Sequence, residues 1–316
     1  MSSRSAPTGA LVLTAGLGMR LRPLTRDRAK PALPVAGPTL VERILTSLAR
    51  AGIRDALLNL HYQPASITAI VGDGSALGLS ARYSWEMPLL GSGGGPRRAF
   101  SLVPSDRLWL INGDTLTDVD LTAMAEAHAG SSALVTMALI PNASPERYGG
   151  VVVSDEGEVR AFVPRGTPGQ SWHFVGVQIA ERAAFQTLTD GVAADSVGPL
   201  YRALIAERPG AVRGFCTNAQ FLDIGTPRDY LAACLALSGG RTTVGRDTVI
   251  DPTARVDASV VWDRARIGRG ARLSRVVVGD DVTVPDEFEA ADVVLMTGGR
   301  EGTIPGAWPL QSFPIA

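Results

Sequence analysis

The sequence is short of several residue types, and each shortage limits what it can be. Lysine is nearly missing: of the 30 basic residues in 316, Lys30 is the single lysine and all the others are arginine. Cysteine occurs only as Cys216 and Cys234, at a spacing that fits neither a metal motif nor a disulfide framework. That usage argues against a disulfide-stapled secreted domain and for a cytoplasmic, reducing setting. The histidines, His61, His128 and His173, are scattered, so a zinc site is not expected. No apolar run approaches the roughly 18–20 residues that span a bilayer. The opening "MSSRSAPTG" has no apolar centre, so a secretory signal is not expected, and residues 1–8 read as a flexible tail. Net charge is −1, so no overall field attracts nucleic acid or an anionic membrane, and neither is expected as a partner.

What is present is a globular composition, 45% hydrophobic and 19% charged, long enough for one large domain and a small one. The apolar run "GALVLTA" at 9–15 stops at Gly16 and reads as a buried strand entering a loop. "TLVERILTSLARAG" reads as a helix with Thr39 and Glu42 as a capping box and Gly52 as its stop. "DALLNL", "LSARYSW", "RLWLING" and "SALVTMALI" read as strands, and "PASITAIVG" and "DLTAMAEAHAG" as helices between them, the second capped by Asp120. Strand–helix alternation predicts a Rossmann-like α/β domain over 9–238, with a mostly parallel sheet covered on both faces. Residues 148–180 break the alternation and read as an antiparallel insertion at the sheet edge. "DSVGPLYRALIAERPG" returns to helix, and "TPRDYLAACLALS" is a helix with Thr226 as cap, Pro227 at its first position and Asp229 as box partner.

After "SGG" at 238–240 the period changes. Val244, Ile250 and Val256 are spaced by six, as are Ile267 and Leu273, with a slip of one residue placed at a turn near Asp263. Aliphatic residues at that period predict a short parallel β-helix over 241–290. So short a solenoid needs something to dock on, either the catalytic domain or a second copy in a homo-oligomer. Residues 291–316 carry no readable pattern.

The loop "AGLGMRLRP" follows a strand, as a phosphate loop does. It is not a dinucleotide fingerprint, because Leu21 stands where the third glycine belongs, and no GK[ST] follows. Gly16 and Gly18 let backbone N–H groups approach phosphate oxygens, and Arg20 offers a bidentate fork. Lys30 is the informative exception in an arginine-rich chain. A compact ammonium on a flexible stem reaches into a phosphate cluster where a planar fork does not fit. Pro31 and Pro34 are expected to hold this segment extended.

The run "GLGMRLRPLTRDRAKPALPVAG" resembles the signature of the sugar-1-phosphate nucleotidyltransferases, GxGxRLxPLTxxxxKPxLPVxG, and the resemblance extends over about residues 9–237. Members join a nucleoside triphosphate to a sugar 1-phosphate and release pyrophosphate, and many carry a left-handed hexapeptide tail. The resemblance implies that Arg20 grips the β- and γ-phosphates and that Lys30 neutralises the α-phosphate and the incoming sugar phosphate. It implies nucleotide contacts at Ala15, Gly16, Gly18 and Asn112. It also implies one Mg²⁺ held by Asp114, just past Gly113, and Asp223 in "FLDIGTP". Asp118 and Asp120 are rivals of Asp114, and Asp223 could instead cap the helix that Thr226 already caps.

"EMPLLGSGGGPRRAF" reads as a second glycine loop, which in the family covers the nucleobase. Gly91, Ser92 and Gly93 are then expected against the base or ribose, and Glu86 near the base edge. A carboxylate suits the N1–H and N2–H donors of guanine, whereas an amide suits uracil or thymine. On the sugar side, Gly149 in "YGG" and Gly176 match wall positions. Pro164-Arg165-Gly166 departs from the usual Glu-Lys-Pro: the glutamate is lost, and Arg165 replaces the lysine as phosphate ligand. The expectation is guanylyl transfer from GTP to a mannose- or heptose-like sugar 1-phosphate. A uridylyl- or thymidylyltransferase is the alternative, and a non-catalytic regulatory binder of nucleotide sugars is the alternative of another class.

Overall fold

The computed structural model describes residues 6–297 and 310–315. Residues 1–5 of the expected tail and 298–309 of the unassigned C-terminus lie outside the described residues. The chain forms two compact units. One comprises Val41–Phe221 with the chain up to Leu17, and the other Gly18–Leu40 with the chain from Leu222 onward. The glycine loop is therefore divided between Leu17 and Gly18, and Lys30 belongs to the same unit as the C-terminal coil.

In chain order the elements are β1 (Gly9–Leu13), α1 (Leu40–Arg50), β2 (Asp55–Leu60), α2 (Pro64–Val71), β3 (Ser80–Trp85), α3 (Gly91–Leu102), β4 (Arg107–Asn112), β5 (Thr115–Thr117) and α4 (Leu121–Ala129). They continue with β6 (Val135–Pro141), β7 (Gly150–Val153), β8 (Val159–Val163), β9 (Trp172–Glu181), α5 (Tyr201–Glu207), β10 (Val212–Cys216), β11 (Phe221–Asp223) and α6 (Pro227–Ser238).

The main sheet of the first unit runs β10-β6-β9-β4-β1-β2-β3. The pairs β1/β2, β1/β4, β2/β3 and β10/β6 are parallel. Strands covered on both faces need continuous apolar runs, which "ALV" in β1 and "LWLI" in β4 supply. Leu11, Leu57, Phe100, Leu110, Met137, Leu139, Tyr201 and Val212 share one core.

The antiparallel segment is only partly an edge insertion. β7 and β8 form a hairpin off the main path, but β9 lies inside the sheet, antiparallel to both β4 and β6. Its sequence "VGVQIA" is buried throughout, which suits a central strand and not a rim.

In the second unit, the α6 start is a full capping box. Asp229 N–H donates to Thr226 Oγ1 at 3.2 Å, and Thr226 N–H donates to Asp229 Oδ2 at 3.0 Å. The coil follows as three stacked parallel sheets. Val244 faces Val261, then Val278, then Leu295, a repeat of 17 residues. The one-residue slip belongs at a different corner from the one near Asp263. Each coil has two six-residue sides and one five-residue side, from Val256 to Val261 and again from Leu273 to Val278. At that short corner Ala258, Arg275 and Asp292 take φ of 44°, 54° and 55°. There the Ser259 hydroxyl is buried, donates to Asp257 O at 2.7 Å and accepts from Val276 N–H at 3.0 Å. Part of the unassigned C-terminus is strand: Leu310–Pro314 pairs antiparallel with Val293–Thr297.

Candidate active site

The expected site residues fall in both units, and each unit assembles its own group. In the first, a buried polar ladder joins the carboxyl ends of three parallel strands. Thr14, just past β1, donates its N–H to Asn59 Oδ1 at 2.6 Å and its hydroxyl to the Asn59 carbonyl. Asn59 Nδ2 donates to Glu86 Oε1 at 2.8 Å, and Leu90 N–H donates to Glu86 Oε2 at 2.9 Å. Thr14, Asn59 and Glu86 are 1%, 3% and 3% exposed, so each must be hydrogen-bonded inside the fold. The ladder fixes the chain where Ala15 and Gly16 begin. Gly16 is exposed, and a Cβ there would meet nothing within 4 Å.

β4 ends against the same place. Gly113 N–H donates to Leu13 O at 2.9 Å, and a Cβ on Gly113 would sit 2.5 Å from that oxygen. Only glycine permits this approach, which sets Asp114 immediately beyond the β1 exit. The rivals have other work. Asp120 caps α4 by accepting Ala123 N–H at 3.0 Å, and Asp118 accepts Gln220 N–H at 2.6 Å. Gly176, at φ 80°, makes room for Asn112, whose side chain would lie 2.8 Å from a Cβ there.

The second glycine stretch is not a loop. Gly91 opens α3, and its glycines serve close packing against residues 192–196. Ala194 O accepts from Gly93 N–H at 2.7 Å and Gly94 N–H at 3.3 Å, and a Cβ on Gly94 would lie 2.5 Å from Val192 O. Ser92 Oγ accepts Ser196 N–H at 3.0 Å. The carboxylate of Glu86 likewise works inward, bracing Asn59 and the entry to α3. The inference from Glu86 to a guanine edge therefore loses its ground.

On the sugar side, Gly149 and Arg165 are exposed at the open end of the β7–β8 hairpin, where the chain enters and leaves it. The two turns are tied together by Gly166 N–H donating to Pro145 O at 2.6 Å. Beside them stands an aromatic group, of which the sequence marked only Tyr148, in the YGG motif. Tyr148 and His173 meet at 4.2 Å and His173 and Phe221 at 4.8 Å, with the Arg147 guanidinium 4.9 Å over Tyr148. His173 and Phe221 lie far from Tyr148 in sequence, and no local pattern marks them.

In the second unit, Gly18 takes φ 62° and its carbonyl accepts the Thr25 hydroxyl at 2.8 Å. This folds the arginine-rich stretch into a tight turn. Around Gly225 three groups converge: a Cβ there would lie 3.2 Å from Asp223 Oδ2, 3.2 Å from Asp229 Oδ2 and 3.4 Å from an Arg20 guanidinium nitrogen. Arg20, Asp223 and Asp229 thus all stand close to the bare Cα of Gly225. Lys30 is 8% exposed. The expected extended segment is instead a 3₁₀ turn, Lys30–Ala32, since the fixed φ of Pro31 suits the start of a helix.

Among the described residues no three His, Cys, Asp or Glu side chains cluster to hold a metal by themselves. Asp114 and Asp223 are hard oxygen donors, the chemistry that suits Mg²⁺, which takes its remaining ligands from water and substrate phosphates.

Known proteins agree with this architecture. Residues 9–239 match the nucleotidyl transferase family model, and 233–291 match the GlmU-like C-terminal hexapeptide model. The chain is 31% identical to a mannose-1-phosphate guanylyltransferase of Mycobacterium tuberculosis, over 84% of this chain and 83% of that one. It is 34% identical to a D-glycero-α-D-manno-heptose 1-phosphate guanylyltransferase of Aneurinibacillus thermoaerophilus, over 71% of this chain and 96% of the relative. The fold matches the crystal structure of HddC from Yersinia pseudotuberculosis with a TM-score of 0.63 at 22% identity, covering 72% of this chain and 99% of that one. The chain belongs to the sugar-1-phosphate nucleotidyltransferases, enzymes of the nucleotidyl transferase family, with a hexapeptide-repeat C-terminus.

Proposed function

We propose that the protein transfers a guanylyl group from GTP to mannose 1-phosphate or a heptose 1-phosphate and releases pyrophosphate. The observation that carries the transfer chemistry is the convergence of Arg20, Asp223 and Asp229 on Gly225, in the unit that also buries Lys30. A phosphate oxygen of the sugar 1-phosphate attacks the α-phosphorus, the bond to the bridging oxygen breaks, and pyrophosphate leaves in line. The attacking group is already ionised, so no protein base is needed; positioning and charge neutralisation carry the reaction. Arg20 holds the β- and γ-phosphates, and Lys30 meets the α-phosphate and sugar phosphate. Ala15, Gly16, Gly18 and Asn112 line the nucleotide, with Gly91, Ser92 and Gly93 behind it. Gly149, Arg165 and Gly176 face the sugar phosphate. Asp114 and Asp223 would hold Mg²⁺, which supplies further neutralisation of phosphate charge.

The choice of guanine rests on the two relatives, since Glu86 is engaged internally. That same engagement keeps uridylyl or thymidylyl transfer as the second reading. The cysteine usage supports a cytoplasmic enzyme; separately, no described helix is long and apolar enough to cross a membrane. The first coil, with Val244 and Val249 51% and 53% exposed, supports a homo-oligomer through that edge. Pyrophosphate release with Mg²⁺, measured over four nucleoside triphosphates and a panel of sugar 1-phosphates, tests the reaction and its substrates. Turnover is expected with GTP and a manno-configured sugar. A preference for UTP or dTTP selects the second reading, and nucleotide-sugar binding without turnover for any pair selects the regulatory one.

A further inference from the structure

The second unit grips the Lys30 segment on both sides with residues that the family signature does not contain. Upstream of Lys30, the Arg28 guanidinium pairs with the Asp280 carboxylate and lies 4.6 Å over the Trp262 ring. Asp280 is itself set by accepting Asp263 N–H at 3.1 Å. Downstream, the Tyr230 hydroxyl donates to the Pro34 carbonyl and accepts the Trp262 indole N–H at 2.8 Å. Burial holds the Tyr230 phenol well above its ordinary range, so it keeps the proton it donates. Trp262 and Tyr230 are 2% and 0% exposed and meet edge-on at 6.2 Å. One coil residue thus supports Arg28 with its face and Tyr230 with its edge, and the turn bearing Lys30 lies between the two anchored points. Farther out, the Arg26 guanidinium lies 5.6 Å over Phe313.

The Arg28–Asp280 pair differs from the coil's own ion pairs. Its side chains are 24% and 22% exposed, whereas those of Arg275 and Asp292 are 53% and 56% exposed. Partly buried charge pairs with an aromatic floor hold geometry; exposed ones mostly do not.

We propose that Asp280 and Trp262 are positioning residues for nucleotidyl transfer, holding the 28–34 segment so that the Lys30 ammonium is presented in one fixed place. The β-helix is on this view part of the catalytic apparatus and not only a docking appendage. The proposal rests on the reading of Lys30 as a phosphate ligand, and its test separates the two. Lys30 is the only lysine, so acylation of the full-length protein by an amine-selective ester, read by mass spectrometry of the Lys30 peptide, reports that side chain without needing turnover.

In Asp280→Asn, acylation of Lys30 is expected to rise about tenfold and kcat to fall about tenfold, with KM for the triphosphate moving less. Asp280→Glu is expected to recover most of both losses. Trp262→Phe, which keeps a ring under Arg28 but loses the indole N–H, is expected to fall between. Asp286→Asn, which breaks an exposed coil pair with Arg269, is expected to change neither quantity. Lys30 acylation in Asp280→Asn and Trp262→Phe within about twofold of the parent overturns the proposal, as does equal acceleration in Asp286→Asn. If acylation responds as expected but neither parent nor variants turn over any substrate pair, the anchoring of Lys30 stands and its role as phosphate ligand falls.

Discussion

The strand ends of the first unit and the coil of the second both repeat polar contacts in register, but they do so in opposite surroundings. Thr14, Asn59 and Glu86 join three strand ends in a ladder that is at most 3% exposed. In the coil, Arg264 reaches Asp281 at 2.7 Å and Arg275 pairs with Asp292, each 17 residues on, at corners more than half exposed. An interior polar group that loses its partner has nothing to replace it, whereas water replaces a partner at a corner. Stability should therefore be sensitive in the first region and insensitive in the second. The Lys30 segment is an exception in the second unit, as is the buried Ser259 hydroxyl, because Trp262 and Tyr230 are buried and Arg28 and Asp280 partly so.

The largest effect expected is on activity at the Lys30 segment. Lys30→Arg should fold normally and lose about a hundredfold in kcat/KM, because a planar fork cannot replace a compact ammonium in so closed a place. Retained activity would break the claim that this part of the second unit is chemically demanding. Next comes the ladder. Asn59→Leu leaves Thr14 N–H and Glu86 without their partner and should cost about 2–3 kcal/mol in urea unfolding. A loss under about 1 kcal/mol would mean that water enters, and the contrast between the regions would shrink.

A smaller effect concerns pH. Glu181 accepts from Arg107 Nε at 2.8 Å and faces His128 Nε2 at 3.2 Å. Burial raises its carboxyl, but the hydrogen bonds from His128 and Arg107 outweigh it and hold it below the ordinary 4.5. A depressed carboxyl contributes stability above its ordinary value, and that contribution is lost as pH falls through the folded-state value. Glu181→Gln should flatten the stability profile below pH 4.5, measured by denaturant midpoints from pH 6 to 3. The smallest effect is expected at a coil corner: Arg275→Gln should leave the Tm within about a degree of the parent. A larger drop would show that the corner pairs act as a network and would blur the comparison.

The features legible in the sequence were those whose cause is local. The caps at Asp120 and Thr226 need only their own first turn. The apolar run 9–13 needs only its period, and the six-residue spacing at 244–256 its aliphatic heads. The misread features had distant causes. The glycines of α3 answer to the Ala194 and Val192 carbonyls, about a hundred residues away. β9 reads as a strand either way, and its place between β4 and β6 depends on strand order, which no single strand encodes. Of the candidate site, Arg20, Lys30, Asp114 and Asp223 are proposed from type and context. Asn59, Gly225 and the His173 and Phe221 partners of Tyr148 were not legible in that way, because each acts through a residue remote in sequence.

The sequence by itself determined the family, the parallel sheet, the coil and the single lysine that stands out among arginines. Those follow from composition, period and a long continuous signature. Only the tertiary structure decided what surrounds each charge in that signature. Four arginines and a lysine lie within eleven residues, 20–30, and look alike on the page. Packing separates them: Arg20 stands with Asp223 and Asp229 around Gly225, Arg26 and Arg28 rest on Phe313 and Trp262, and Lys30 is buried. A charge has no fixed role until the fold decides how much water it keeps and which group it faces.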